Sequence, residues 1–289
     1  MTPEDYCHDL ANARGSDFRY SLLGLPLAQR QALCAIQSFC LETAGIATEC
    51  QDLGVARTKL DWWYAELDKL FAGKPEHPIT CALWPHLSRF NLPKEHFRTL
   101  LEGVAMDLDY EIYPTFSTLT PYIHRRGSVA ALLVAEVSGY RHRHASSRFA
   151  HEAGAALLLF ERLYDVRQYA HLGRFYLPED EIRQFGLHSD DFLATKITDR
   201  VQQLFAFQAQ RIHDYHRRAL EHLPDEDRLA QCPLLIRLEL MMALLREITE
   251  EGYRLLEQHT TLTPLHKLWL AWRLRRGEQR RFRRRPVTE

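Results

Sequence analysis

The chain has 289 residues, of which 46% are hydrophobic and 26% charged. That balance fits a soluble globular protein and excludes low-complexity and disordered classes. The formal net charge is −1, but residues 271–289 hold eight Arg and two Glu, a net of +6, so the preceding 270 residues sum to −7. A basic end on an acidic body points to an anionic surface as partner, a membrane or another protein, through Arg273–Arg285. No nucleic acid is expected, because the body is acidic and carries no recognisable binding module.

The six cysteines are Cys7, Cys34, Cys40, Cys50, Cys81 and Cys232. None forms a C-x-x-C pair, which argues against a zinc ribbon or a thioredoxin-like motif. Cys34 and Cys40 lie in apolar helical text and read as buried thiols. The polar, acidic start from Met1 to Tyr6 lacks the basic and apolar regions of a signal peptide. No window of 18 or more apolar residues occurs, so no membrane span is expected. The expected compartment is the cytoplasm, with peripheral contact at the inner membrane face.

In chain order the sequence predicts helix after helix. Leu33, Ile36, Phe39 and Cys40 form an apolar stripe of helical period. Leu60, Trp63, Tyr64, Leu67, Leu70 and Phe71 repeat it, until Gly73, Pro75 and Pro78 break it. A third stripe runs from Phe97 through Leu100, Leu101 and Val104 to Leu108 and closes near Pro114. Ser117 to Ala135 reads as the next helix, with Thr118 to Pro121 as its capped start. Phe149 to Tyr169 is a long helix ended by Gly173 and Pro178. Asp190–Leu220 and Leu234–Glu257 follow, and Thr263-Pro264 opens the last helix. No period-two alternation suggests a strand, and no Pro/Ser linker divides the body. The fold class is all-α: one domain over residues 1–270, then a flexible basic tail over 271–289.

Several segments carry a resemblance. They are Ser16-Asp-Phe-Arg-Tyr-Ser21, Leu25-Pro26, Arg30 and Ala35; then Phe39-Cys40 and Glu42. Glu102-Gly103, Met106-Asp-Leu-Asp109, Tyr113 and Thr115-Phe116 follow, then Gly127-Ser128-Val129. Gly173-Arg-Phe-Tyr-Leu-Pro178, Asp180, Phe185-Gly186 and Leu265–Arg273 complete the series. In order and spacing the chain resembles the squalene/phytoene synthase family. The resemblance implies an isoprenoid-synthase-type helical bundle around a central cavity, and head-to-head joining of two prenyl diphosphates. Departure of so anionic a leaving group calls for Mg²⁺ as counter-charge and Lewis acid. Mg²⁺ takes oxygen ligands, and carboxylates four apart share one helix face.

The family's first acidic motif has the form D-D-x-x-D. Here Ala44, Gly45 and Thr48 hold its places, between Glu42 and Glu49, and Leu41 replaces an expected arginine. Gly45 inside a helix costs about 1 kcal/mol relative to alanine. The second motif reads Leu158-Leu-Phe-Glu-Arg-Leu-Tyr-Asp-Val166. Asp165 is kept, Glu161 replaces an asparagine, and Tyr169 stands where the next aspartate is expected. If metal is bound, Glu42, Glu49, Glu161 and Asp165 are the candidate ligands. Otherwise Glu161 pairs with Arg162, Arg167 or another basic group, and Asp165 is a satisfied structural residue.

Tyr20, Arg30, Arg125, Arg126, Arg174 and Tyr176 are candidate diphosphate or lipid contacts. Arg125 and Arg126 either face a phosphate or, the favoured reading, pair with Asp107 or Asp109. Asp107 and Asp109 themselves can equally be a wet helix face. Arg141-His-Arg-His144 reads as a solvated basic loop, His213 and His216 as surface histidines, and one of Trp62-Trp63 as core. Leu268, Trp269 and Trp272 followed by the arginines read either as a membrane-surface segment or as a solvated terminus.

The resulting expectation is a family-like protein that has lost Mg²⁺-dependent condensation and acts as an isoprenoid- or lipid-binding or accessory protein. The alternative is an active squalene- or phytoene-type synthase with relocated ligands. A pure interaction scaffold, with the cavity filled by Leu158 and Phe160, is the third reading.

Overall fold

The computed structural model describes residues 1–12, 17–50 and 52–284; Ser16 and Arg285 lie outside them. In chain order its helices are α1 (Pro3–Ala11), α2 (Phe18–Ser21), α3 (Leu27–Glu49), α4 (Leu53–Phe71), α5 (Pro78–Leu87), α6 (Lys94–Asp109) and α7 (Phe116–Ile123). A π-helical turn (His124–Ser128) leads into α8 (Val129–Ser138), α9 (Arg143–Tyr164), α10 (Val166–His171) and α11 (Glu179–Gln184). A 3₁₀ turn (Ser189–Leu193) precedes α12 (Asp199–His222), α13 (Cys232–Glu250) and α14 (Pro264–Arg283). Among the described residues the only β pairing recorded is one isolated bridge, Ile112 with Phe175. No helix among them is long and apolar enough to cross a membrane.

Local chemistry sets many helix starts. The Thr2 hydroxyl accepts from the Asp5 amide while the Asp5 carboxylate accepts from the Thr2 amide, a reciprocal cap for α1. Asp52 and Thr263 cap α4 and α14 through side-chain oxygens. The apolar stripes then meet in one core. Phe39 of α3 stands edge-on to Trp63 of α4 and to Phe97 of α6, with ring centroids 5.4 and 5.3 Å apart. Trp63 is the buried member of the Trp62-Trp63 pair, and Trp62 is exposed.

Helix α9 is the central post, packed by α12, α8, α13 and the π-helical turn. Its backbone meets that turn at two glycines. A Cβ on Gly154 would lie 2.3 Å from the Gly127 carbonyl oxygen, so no other residue fits without moving a helix.

Four expectations change. The start of α7 is capped by Thr115, reciprocally with Thr118, so Pro121 lies inside the helix. The span Ser117–Ala135 is not one α-helix, because the π turn widens it where Gly127 approaches α9. The span Phe149–Tyr169 is two helices, α9 and α10, joined at Asp165 (φ −96°, ψ 20°). The basic end is helical without a break at residue 271. Lys267, Leu270, Ala271 and Glu278 are buried at helical spacing, and Arg228 Nη2 holds Glu278 at 2.9 Å.

Helix bounds shift elsewhere. The segment 190–198 precedes α12, and α13 ends at Glu250 before Gly252 (φ 75°) and Tyr253 (φ 57°). The expected basic loop at Arg141–His144 is only half a loop: Arg143 and His144 are the first residues of α9, although all four stay exposed.

Candidate functional site

The two helices to which the resemblance assigns acidic motifs, α3 and α9, carry different side chains at those positions. On α3, Ala44 lies one turn beyond Cys40 on the same face. Cys40 is partly accessible rather than buried, while Cys34 is buried. Arg126 donates to the Cys40 and Leu100 carbonyl oxygens at 3.1 and 3.3 Å. Thr48 and Glu49 are exposed. The Glu49 carboxylate folds back over Gly45, within 3.1 Å of where a Cβ would sit. Glu42 faces the other side of α3, where burial and then the Glu42 carboxylate push the Tyr6 phenol pKa up. It therefore cannot join Glu161 in a shared site.

On α9, Glu161 pairs with Arg162 at 3.0 Å. Arg162 is 8% exposed. Its Nε and Nη2 donate to the Tyr122 hydroxyl at 3.2 and 2.7 Å, and Nη1 donates to the Tyr169 hydroxyl. The guanidinium also lies over the Tyr169 and Tyr176 rings, 4.7 and 4.5 Å from their centroids. Tyr122 and Tyr176 donate onward to the buried Asp107 carboxylate at 3.3 and 2.7 Å. Burial pushes the Asp107 pKa up, against the pull of Arg162 and Arg126. Tyr169, standing where an aspartate was expected, is thus a working member of an Arg–Tyr–Asp network.

Arg174 closes the network from the loop after α10. It donates to the Asp107 carbonyl and, at 2.9 Å, to the Ala47 carbonyl near the end of α3. Asp165 sits at the helix junction. Its Oδ1 is 3.4 Å from His259 Nε2, and His259 Nδ1 is 2.7 Å from the Tyr164 hydroxyl. Burial, then the Glu161 charge, push the Asp165 pKa up.

Across from α3 and α9, Arg237 projects from α13. Burial lowers its pKa, while Glu161, Cys40 and Asp17 act on it electrostatically. Among the described residues it has no hydrogen-bond or ion-pair partner. Cys40, Glu161, Tyr164 and Arg237 each keep some accessible surface, and Glu161 and Cys40 both act electrostatically on Arg237.

These residues do not fit Mg²⁺. The ion needs a near-octahedral set of oxygens. Glu161 and Asp165 are committed to Arg162 and His259, and α3 turns no carboxylate toward them. Arg126, Arg162 and Arg237 bring like charge to the same region. Among the described residues no three His, Cys, Asp or Glu side chains are grouped to hold a metal ion.

The other candidates are placed as follows. Tyr20 is buried, its hydroxyl accepting from Arg19 at 2.8 Å. Arg30 is exposed. Arg125 sits 3.6 Å from Glu102. Asp109 is held by Arg57 at 2.8 Å and Asp107 by tyrosines, so neither pairs with Arg125 or Arg126 as expected. Arg126, in the π-helical turn after α7, donates instead to backbone carbonyls. Tyr122, Arg237 and His259 are not among the residues the sequence singles out, and Arg162 is there only as a partner for Glu161. A lone arginine inside an apolar helical stripe, as at 162 and 237, is the signal that marks them, because its burial demands compensation.

Comparison with known proteins agrees with this architecture. The sequence profile of the squalene/phytoene synthase family matches residues 11–268. The 15-cis-phytoene synthase of Synechococcus elongatus is 29% identical over 273 residues, covering 91% of this chain and 89% of that protein. A phytoene synthase of Arthrospira platensis is 28% identical over 276 residues, with 91% and 89% covered. Among solved structures, a ligand-bound dehydrosqualene synthase superposes with a TM-score of 0.82 at 18% identity, over 96% of this chain and 97% of that one. Squalene synthase HpnC from Alicyclobacillus acidocaldarius gives 0.73 at 26% identity, over 87% and 94%. The chain belongs to the squalene/phytoene synthase family.

Proposed function

We propose that this family member has given up Mg²⁺-dependent head-to-head prenyl condensation and that the accessible surface around Arg237, between α3, α9 and α13, is a crevice that binds an isoprenoid or related lipid, in an accessory role. The observation that carries the reading is the exchange of cation-gripping carboxylates for an arginine–tyrosine network. The carboxylates that would hold a Lewis-acidic cation against a departing diphosphate are absent from the Ala44–Thr48 face of α3 and engaged with Arg162 and His259 on α9. Arg237 instead offers a fixed positive charge inside the crevice, suited to holding an anionic lipid head directly. Leu158 is buried, and Phe160 is partly buried against the core.

The test is incubation of the purified protein with Mg²⁺ and farnesyl or geranylgeranyl diphosphate. No pyrophosphate above the protein-free blank is expected. Robust Mg²⁺-dependent release overturns the reading.

One observation favours a second reading, an active squalene- or phytoene-type synthase: Glu161 and Asp165 remain four residues apart at the end of α9. In that case Glu161→Ala with Asp165→Ala abolishes pyrophosphate release. An active protein indifferent to both changes removes this ligand assignment.

A further inference from the structure

Helix α14 carries two faces at about 100° per residue. The inner one, Lys267, Leu270, Ala271, Leu274 and Glu278, packs on α13 and α2. The outer one repeats Leu265, Leu268, Trp269 and Trp272, which are 79%, 44%, 49% and 52% exposed. These side chains open onto a groove of about 690 Å³ that Leu23 and Gly24 of the α2–α3 turn complete. Arg275, Arg276, Gln279, Arg280 and Arg283 line the rest, with no acidic residue among the described residues of the lining. The carboxylates that meet the helix do so elsewhere: Glu239 holds Arg273 at 2.6 Å, Asp17 holds Lys267 at 2.5 Å, Glu247 is 3.9 Å from His266, and Glu278 sits on the inner face. Arg276, Arg280 and Arg283 have no ion-pair partner among the described residues. Arg276 and Arg273 lie over the Trp272 and Trp269 rings, at 5.1 and 4.5 Å.

We propose that this face docks on an anionic phospholipid bilayer, with α14 lying in the interface plane. The site is separate from the crevice and does not rest on the function proposed for it. Indole and leucine side chains suit the headgroup–acyl boundary, where tryptophan concentrates. The flanking guanidiniums suit lipid phosphates, and the attraction falls off within a Debye length of the surface. Charge decides between occupants. A second copy of this chain would place the same uncompensated arginines against each other in a two-fold contact. An anionic bilayer meets both the apolar strip and the positive rim.

The test is flotation of the full chain with two kinds of vesicle. One is phosphatidylcholine alone, and the other is phosphatidylcholine with phosphatidylglycerol. Binding only to the second, weakened by salt, is expected. Arg276→Glu with Arg280→Glu, and separately Trp269→Ala with Trp272→Ala, each lower the partition coefficient about tenfold or more. Circular dichroism and thermal midpoint stay unchanged, because these side chains are exposed. Three results overturn the proposal. They are absence of flotation with the anionic vesicles, equal flotation of the charge-reversed variant, and a dimer in size-exclusion chromatography that Trp269→Ala with Trp272→Ala dissolves.

Discussion

The end of α3 and the α9–α10 junction, the two places where the resemblance puts acidic motifs, differ in what their side chains do. On α3 the positions hold the small side chains of Ala44, Gly45 and Thr48. At the junction Tyr169, Arg162, Tyr122, Tyr176 and Asp107 bond to one another. The first region carries no polar network of its own, whereas the second is a self-satisfied polar cluster. Such a cluster is costly to disturb, since each lost partner strands a buried polar group. The difference teaches that the second region is tied together by its own polar bonds, and that the first has no such ties.

Five experiments break or sharpen that contrast. The largest effect is expected from Gly154→Ala. Its Cβ would strike the Gly127 backbone, which cannot swing aside as a side chain could. A loss of about 3 kcal/mol or more is expected in urea unfolding. Arg162→Met comes next, at about 2–3 kcal/mol, because the Tyr122 and Tyr169 hydroxyls lose their charged donor. Adding Tyr169→Phe should cost less than the sum of the singles, and strict additivity would show that the two do not form a unit.

The third concerns the N-terminal end of α9. Asp227 is 1% exposed and accepts from the Arg141 and His142 amides at 2.6 and 2.9 Å and from the Ser146 hydroxyl at 2.8 Å. Burial acts to raise its pKa, but those donors outweigh burial and hold the carboxyl below its ordinary value. Its contribution is therefore complete above the unfolded value near 4 and lost as pH falls through the lower folded value. Asp227→Asn should cost about 1–3 kcal/mol at neutral pH and flatten the acid limb of a stability–pH curve. A variant with the parent's acid limb contradicts this.

Tyr169→Phe alone should cost about 1 kcal/mol, one hydrogen bond's worth. The smallest effect carries the opposite sign. Gly45→Ala meets only the movable end of the exposed Glu49 side chain. It should raise stability by about 0.5–1 kcal/mol. A destabilising result would mean that α3 is still held to a tight geometry.

Much of the fold was legible where the apolar period is strong, as in α3, α4 and α6, and at the Thr263-Pro264 start of α14. The π turn was not, because its cause is the close approach of Gly127 to Gly154 across two helices. Nor was the break at Asp165: nothing in Asp165-Val-Arg forbids helix, and the partner His259 lies 94 residues away. Of the site, the missing carboxylates and the adjacent Glu161–Arg162 pair could be read directly. Replacement of the metal cradle by a network could not, since Arg162, Tyr122 and Asp107 come from three separate helices. Likewise the inner stripe of α14 was hidden among arginines whose charge suggested a loose tail.

The central claim is that the motif helices no longer bind divalent cations around a diphosphate. Mn²⁺, which is visible by electron paramagnetic resonance, can be titrated into the protein with and without the non-ionisable analogue geranylgeranyl thiodiphosphate. The account predicts that the analogue sequesters no additional Mn²⁺ on the protein. Two or three Mn²⁺ per chain appearing only with the analogue, and disappearing in Glu161→Ala with Asp165→Ala, would contradict it.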